Sequence, residues 1–85
     1  MKPRDYQQLS SRRKEKLLFA FKLGVHLKKL REKKGMSQEE LSHRSGYYHT
    51  YVNKIENGKY SPSMHTIWRI AYALEMSLDK FFDGF

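Results

Sequence analysis

The side chains best suited to chemistry are concentrated in residues 37–59, which hold histidine, threonine, tyrosine, asparagine, lysine and glutamate. Ser37 and Glu40 have the spacing of a capping box, and a glycine turn follows, so we predict two short helices over residues 37–44 and 48–57. A short helix braced across a second one can lay a row of polar side chains into the major groove of DNA. The chemistry that this segment predicts is hydrogen bonding to bases and phosphates.

The residue types and spacings in this chain do not indicate a catalytic site or a metal site. The four histidines lack the HExxH pattern and any other spacing typical of a metal site, and there is no cysteine. No nucleophile–base pair and no phosphate loop can be recognised, so we predict a protein that is not an enzyme, with no metal, no cofactor and no small-molecule ligand. Zero cysteines also exclude a disulfide scaffold and favour a cytoplasmic location.

Basic charge is concentrated at the front of the chain. The net charge of +8 suits an anionic partner, either nucleic acid or a membrane surface. Residues 1–34 hold twelve Lys and Arg against three acidic residues, giving +9, whereas residues 35–85 carry a net charge of −1. Three roles stay open for the basic front end: a solvated helix face, an arm on the DNA backbone, or a segment that binds a protein.

The pattern of apolar residues predicts a single all-α domain with one modest core, because 85 residues leave room for little more. We expect a loose arm over residues 1–8 and a helix that starts near residue 9 or 10; whether residues 11–21 form a separate helix stays open. No apolar run approaches the roughly 20 residues that cross a bilayer, so no membrane segment is expected. We assign residues 1–20 to a basic N-terminal extension and residues 21–85 to a helix-turn-helix DNA-binding domain.

Two further serines are expected to cap the remaining helices. Ser63 precedes a fourth helix, and Ser77 precedes a last short one, which gives a compact bundle of about five helices. Tyr47 is expected to lie in the core at the turn between the two motif helices. The apolar stripe of the fourth helix is expected to be Met64, Ile67, Trp68, Ala71 and Leu74.

Four sequence segments together closely resemble the phage-repressor/Cro-like helix-turn-helix family, often called the XRE family. They are residues 35–41 (GMSQEEL), 55–59 (IENGK), 62–63 (PS) and 77–82 (SLDKFF). The resemblance implies a sequence-specific regulator of transcription that binds double-stranded DNA. Residues 49–52 (HTYV) look most like the small controller proteins of restriction–modification systems.

The resemblance also implies roles for single residues. Base contacts are expected on the outward row of the second motif helix, where lysine suits guanine and asparagine suits adenine. Phosphate contacts are expected at the start of the first motif helix and just after the second. The implied base-contacting residues are His49, Thr50, Tyr51, Asn53 and Lys54, and the implied phosphate-contacting residues are Gln38, Asn57 and Lys59.

A structural ion pair and a dimer are implied as well. In this family a glutamate at the position of Glu56 pairs with an arginine in the first helix, where Arg31 stands. The C-terminal phenylalanines exceed what a small core needs, so we expect a homodimer through the last two helices, with Phe81, Phe82 and Phe85 at the interface. A two-fold dimer implies a palindromic operator with half-sites about 34 Å apart.

A protein-interaction module, such as an antitoxin, is the alternative from another functional class. Its main partner would be a second protein, bound through the basic front end or the phenylalanine-rich C-terminus. Co-purification of a second polypeptide would favour it over the DNA-binding regulator.

Overall fold

Five helices form the part of the chain that the computed structural model describes, residues 6–85, with side chains described from residue 11 onward. The predicted all-α fold is confirmed. None of the helices in this part is both long enough and apolar enough to cross a membrane. The helices are α1 (Tyr6–Lys33), α2 (Gln38–Arg44), α3 (Tyr51–Glu56), α4 (Met64–Ala73) and α5 (Leu78–Phe81).

α1 is one continuous helix of 28 residues. The question left open over residues 11–21 is therefore answered, and the helix also runs without interruption past residue 20. It begins at Tyr6, so residues 6–8 of the predicted loose arm are helical, and residues 1–5 lie outside the described part of the chain. At its other end the chain turns at Gly35, whose φ of 70° is left-handed and favours glycine.

Capping serines begin three of the four short helices, as predicted. Ser37 accepts a hydrogen bond from the Glu40 amide at 2.9 Å, and Ser63 accepts one from the Thr66 amide at 3.1 Å. Ser77 caps α5 in the same way. The Glu40 carboxylate pairs with Arg44 at 2.7 Å, one turn along α2. Each of these helices is too short to be stable alone, so caps and tertiary packing must hold them.

The core lies where all five helices meet. Leu23 and Leu27 of α1 are each 1% exposed and belong to the core cluster. α5 inserts Phe81, the largest of the fully buried side chains, into the same cluster. The other helices supply branched aliphatic side chains, namely Leu41, Val52, Ile55, Ile67, Ile70 and Leu74.

The stripe predicted for α4 is correct at three positions and wrong at two. Ile67, Ala71 and Leu74 are buried as expected, but Trp68 is 51% exposed and Met64 is exposed too. Successive helical residues are turned by about 100°, so a side chain next to Ile67 points well away from the core. Ile70, one turn after Ile67, is 1% exposed and belongs to the buried side of α4.

Gly24 is buried in α1 where this helix crosses the end of α3. A Cβ atom at this position would lie 2.6 Å from the carbonyl oxygen of Ile55 and 2.7 Å from that of Glu56. No side chain fits at such distances, so the two backbones can pack this closely only because residue 24 is glycine. The contact fixes α1 against the last turn of α3.

Candidate nucleic-acid interface

α2 and α3 are joined by a turn at Gly46, whose φ of 87° is left-handed. α3 begins at Tyr51, three residues later than predicted, and Thr50 at its N-cap makes no side-chain capping bond. The missing cap is supplied by another helix. Ser42 of α2 is fully buried, donates its hydroxyl to the carbonyl of Gln38 at 2.9 Å and accepts from the Val52 amide at 3.0 Å. One hydroxyl therefore bonds the backbone of both helices, and it satisfies an amide at the start of α3 that has no partner within its own helix. This contact fixes the angle between α2 and α3.

Polar side chains cover the outer side of α3 and the turn before it. His49, Thr50 and Lys54 are exposed, and Asn53 is half-buried at the edge of α2. The opposite side of α3 is buried against the core. Four of the five predicted base-contacting residues therefore lie on one accessible surface, the row formed by His49, Thr50, Asn53 and Lys54, which we call the reading surface.

Tyr51 is the exception, and the prediction that it contacts bases is wrong. Its side chain is only 6% exposed and its ring stacks on that of Tyr47 with centroids 4.3 Å apart. Tyr48 and Tyr60 contact the same ring edge-on. Burial raises the pKa of the Tyr51 phenol to about 12. Tyr51 thus belongs to an aromatic cluster that supports the start of α3, and Tyr47 packs at the core as expected.

The ion pair predicted between Arg31 and Glu56 is present behind the reading surface. The guanidinium donates from Nε and Nη2 to the two carboxylate oxygens at 2.7 and 3.0 Å. It also donates to the carbonyl of Met36 at 2.8 Å. The hydrogen bond to Glu56 raises the pKa of Arg31, so its charge is permanent. The pair ties α1 to the last residue of α3.

A chain of amide hydrogen bonds links this ion pair to the outer surface. Gln38 donates to Glu56 at 2.9 Å and accepts from the Asn53 amide at 3.1 Å. Asn53 in turn accepts from Asn57 at 3.1 Å. An amide group has two N–H donors and two acceptor lone pairs, so Gln38 and Asn53 each keep hydrogen-bonding capacity. Residues predicted separately for base and phosphate contact are thus held in one network.

Tyr48 has a role that the sequence reasoning missed. Lys54 donates from its ammonium group to the Tyr48 hydroxyl at 3.2 Å, and its nitrogen lies 5.1 Å from the ring centroid. A flexible lysine is thereby held against an exposed aromatic ring. The available signal was the aromatic residue six positions before Lys54.

The predicted phosphate-contacting residues lie around the two ends of the motif. Asn57 is exposed at the C-cap of α3, and Lys59 is exposed in the loop that follows. Gln38 is half-buried at the start of α2. Within residues 6–85, no three His, Asp or Glu side chains are grouped so that they could hold a metal ion.

The three C-terminal phenylalanines differ in burial. Phe81 is 1% exposed, so its prediction as an interface residue is wrong: the side chain fills the core of its own chain. Phe82 is half-buried, and Phe85 is 45% exposed. The Phe85 ring contacts the rings of Phe19 and His26 of α1 edge-on. His26 also hydrogen bonds through its ring to the carbonyl of Phe81.

Comparison with known proteins supplies independent evidence for the family of this chain. The helix-turn-helix family model HTH_3 matches residues 27–81. The chain is 36% identical over 55 residues to the uncharacterized HTH-type transcriptional regulator y4dJ of Sinorhizobium fredii, covering 65% of this chain and 71% of that protein.

Solved structures of controller proteins are similar as well. The restriction–modification controller protein C.AhdI from Aeromonas hydrophila superposes with a TM-score of 0.73 at 35% identity, covering 78% of this chain and 96% of that one. The controller protein C.Esp1396I, as a tetramer in complex with its natural 35 base-pair operator, gives 0.71 at 32% identity over 76% and 86% of the two chains. Together with the capped α2, the turn at Gly46 and the outward row on α3, these matches show that the chain belongs to the helix-turn-helix (HTH_3) family.

Proposed function

We propose that this protein is a sequence-specific regulator of transcription that binds double-stranded DNA and inserts α3 into the major groove. The observation that carries the proposal is the division of α3 into two sides. Tyr51, Val52 and Ile55 face the core, while His49, Thr50 and Lys54 are exposed. A helix held from behind in this way presents its polar row at a fixed angle, which base recognition requires.

Each side chain of the reading surface has a chemical partner in the groove. Lys54 donates to guanine O6 and N7, Asn53 pairs with adenine, and the Thr50 methyl contacts the thymine methyl. His49 adds one more donor or acceptor beside them. Gln38, Asn57 and Lys59 bind phosphates on either side and thereby set the register of α3.

The protein acts as a dimer, with Phe82 and Phe85 at the interface. Support comes from the exposed Phe85 ring beside Phe19 on α1 and from the controller-protein tetramer solved on an operator. Two-fold symmetry then places two copies of α3 on a palindrome, with half-sites about 34 Å apart. The regulators among the relatives favour this function over the protein-interaction alternative. The resemblance to controller proteins makes a restriction–modification operon the first target to examine.

Selection of bound duplexes from a random pool, at low and at moderate salt, tests the function. A palindromic motif that survives moderate salt is expected. Lys54→Ala should then change the preferred base at one position, at a cost of about 1–3 kcal/mol, whereas Lys59→Ala should weaken binding to all sequences alike. Binding that shows no motif and disappears with salt would contradict the proposal.

The interface is tested by the concentration dependence of the molar mass in solution. Phe85→Asp should shift the protein toward monomer, because a charge would have to be buried between the two copies. Tyr72→Asp, on the exposed side of α4, tests the other of the two helices expected at the interface. If only the Tyr72 variant dissociates, the interface lies on α4 and the assignment to Phe82 and Phe85 is wrong.

A further inference from the structure

An open groove of about 400 Å³ separates the first half of α1 from the loop after α3. It lies outside the match to the family model, at least on the α1 side, because that match begins at residue 27. The helix side of the groove contains two basic residues, and the loop side contains a third. The lining residues are Arg13, Lys16, Leu17 and Ala20 on α1, and Gly58, Lys59, Tyr60 and Ser61 on the loop.

The charge around this groove is positive. Arg13 and Lys16 are one helical turn apart and both are exposed, so their side chains lie next to each other on α1. Among the residues whose side chains are described, ion pairs join only Arg31 to Glu56 and Glu40 to Arg44. Glu15 is turned by about 100° from Lys16 around the helix axis and does not line the groove. Three cations thus border one opening.

The groove is held next to the end of α3 by backbone packing. A Cβ atom at Gly58 would lie 3.4 Å from the Cα of Phe21, and one at Gly24 would lie 2.6 Å from the carbonyl oxygen of Ile55. α1 therefore passes directly over the last turn of α3, and its first half continues along the loop that carries Lys59. Any DNA backbone that Lys59 contacts also approaches Arg13 and Lys16.

We infer that Arg13 and Lys16 form, together with Lys59, a phosphate-binding groove for the DNA backbone beside the half-site that α3 reads. The inference rests on the proposed function and extends it to residues outside the family match. A guanidinium binds two phosphate oxygens in parallel, and an ammonium adds a compact charge. Tyr60 and Ser61, also at the groove, add hydroxyl donors to the same phosphates. The basic front end thereby increases affinity and leaves the base preference unchanged.

The salt dependence of binding measures these contacts directly. Each phosphate that a cation neutralises contributes about 0.9 to the slope of log K against log salt concentration. The Arg13→Gln/Lys16→Gln double variant of the full chain removes two cations from each protomer, so the slope for the dimer should decrease by about 3.6 on the selected palindromic duplex. Between 50 and 200 mM salt, the wild-type dimer should lose roughly 150-fold more affinity than the variant does. The selected motif should stay the same.

A matched control removes the same charge from elsewhere on α1. Lys28 and Lys33 are exposed and line neither this groove nor the groove beside Phe85, so Lys28→Gln/Lys33→Gln should keep the wild-type slope. Equal slopes for all three proteins, or the same decrease in both variants, would overturn the inference while leaving the proposed function intact. A wild-type protein that selects no motif at all would instead contradict the proposed function. Unchanged urea midpoints for both variants would exclude unfolding as the cause.

Discussion

The two halves of α1 share one helix and a similar basic composition but have different surroundings. From Leu23 onward, one side of the helix is buried, and Leu23, Leu27 and Arg31 all belong to it. Between residues 11 and 19 every side chain is exposed, although Leu17, Leu18 and Phe19 are as apolar as any in the second half. Apolar content alone therefore does not decide which part of a helix joins a core.

Spacing and neighbours explain the difference. Leu23, Leu27 and Leu30 recur every three to four residues and so lie on one side of the helix, where α3 packs against α1. Leu17, Leu18 and Phe19 are consecutive, so each is turned by about 100° from the last and no single surface could bury all three. The second half of α1 stabilises the fold, and the first half is free to contact partners. Stability measurements on both halves test this division.

Arg31→Ala should have the largest effect in the second half of α1. Glu56 is nearly buried, with 3% of its side chain exposed, and the variant would leave its carboxylate without the charge that compensates it. Breaking a buried pair by removing one partner costs about 3–5 kcal/mol. Urea unfolding followed by circular dichroism should show that loss. A change below about 1 kcal/mol would mean that water already screens the pair.

Leu27→Ala should cost about 2–5 kcal/mol, because the side chain is 1% exposed and its removal leaves a cavity. The same urea titration measures it. An effect as small as that of a surface leucine would show that the core can collapse around the missing atoms.

Gly24→Ala should destabilise the protein by about 1–3 kcal/mol, although alanine is the better helix former. The new methyl group would meet two backbone carbonyl oxygens at the end of α3. Backbone atoms cannot move aside as a flexible side chain can, so α1 and α3 must separate. Lys28→Ala on the exposed side is the control and should stay within about 0.5 kcal/mol. A stabilised Gly24 variant would contradict the close packing.

Leu18→Ala should have the smallest effect, below about 0.5 kcal/mol, because the side chain is 56% exposed in the first half of α1. Unfolding should be measured at submicromolar concentration, where association contributes least. A loss similar to that of Leu27→Ala would show that this half is buried and would remove the distinction between the two halves.

Local interactions were the part of this fold that the sequence made predictable. Ser37, Ser63 and Ser77 each cap a helix by bonding an amide three residues ahead, and such bonds depend only on neighbouring residues. The pair of Arg31 and Glu56 was accessible through the family resemblance. The all-α fold was predictable both from the local sequence pattern and from the family resemblance.

Interactions between distant segments were not predictable in the same way. Tyr51 was expected to point outward, but the rings of Tyr47 and Tyr60 create an aromatic site that buries it. The later start of α3 depends on Ser42, which lies ten residues from the amide it caps. In each case a partner from another element decided the outcome.

The hydroxyl of Ser42 also has a consequence for how binding specificity can evolve. Since the Ser42 hydroxyl of α2 caps α3, the side chains of His49 and Thr50 are not needed to cap this helix. Substitutions at these two positions should therefore leave the fold intact. New operator preferences should arise through single substitutions here, and a library randomised at His49 and Thr50 should contain many folded members.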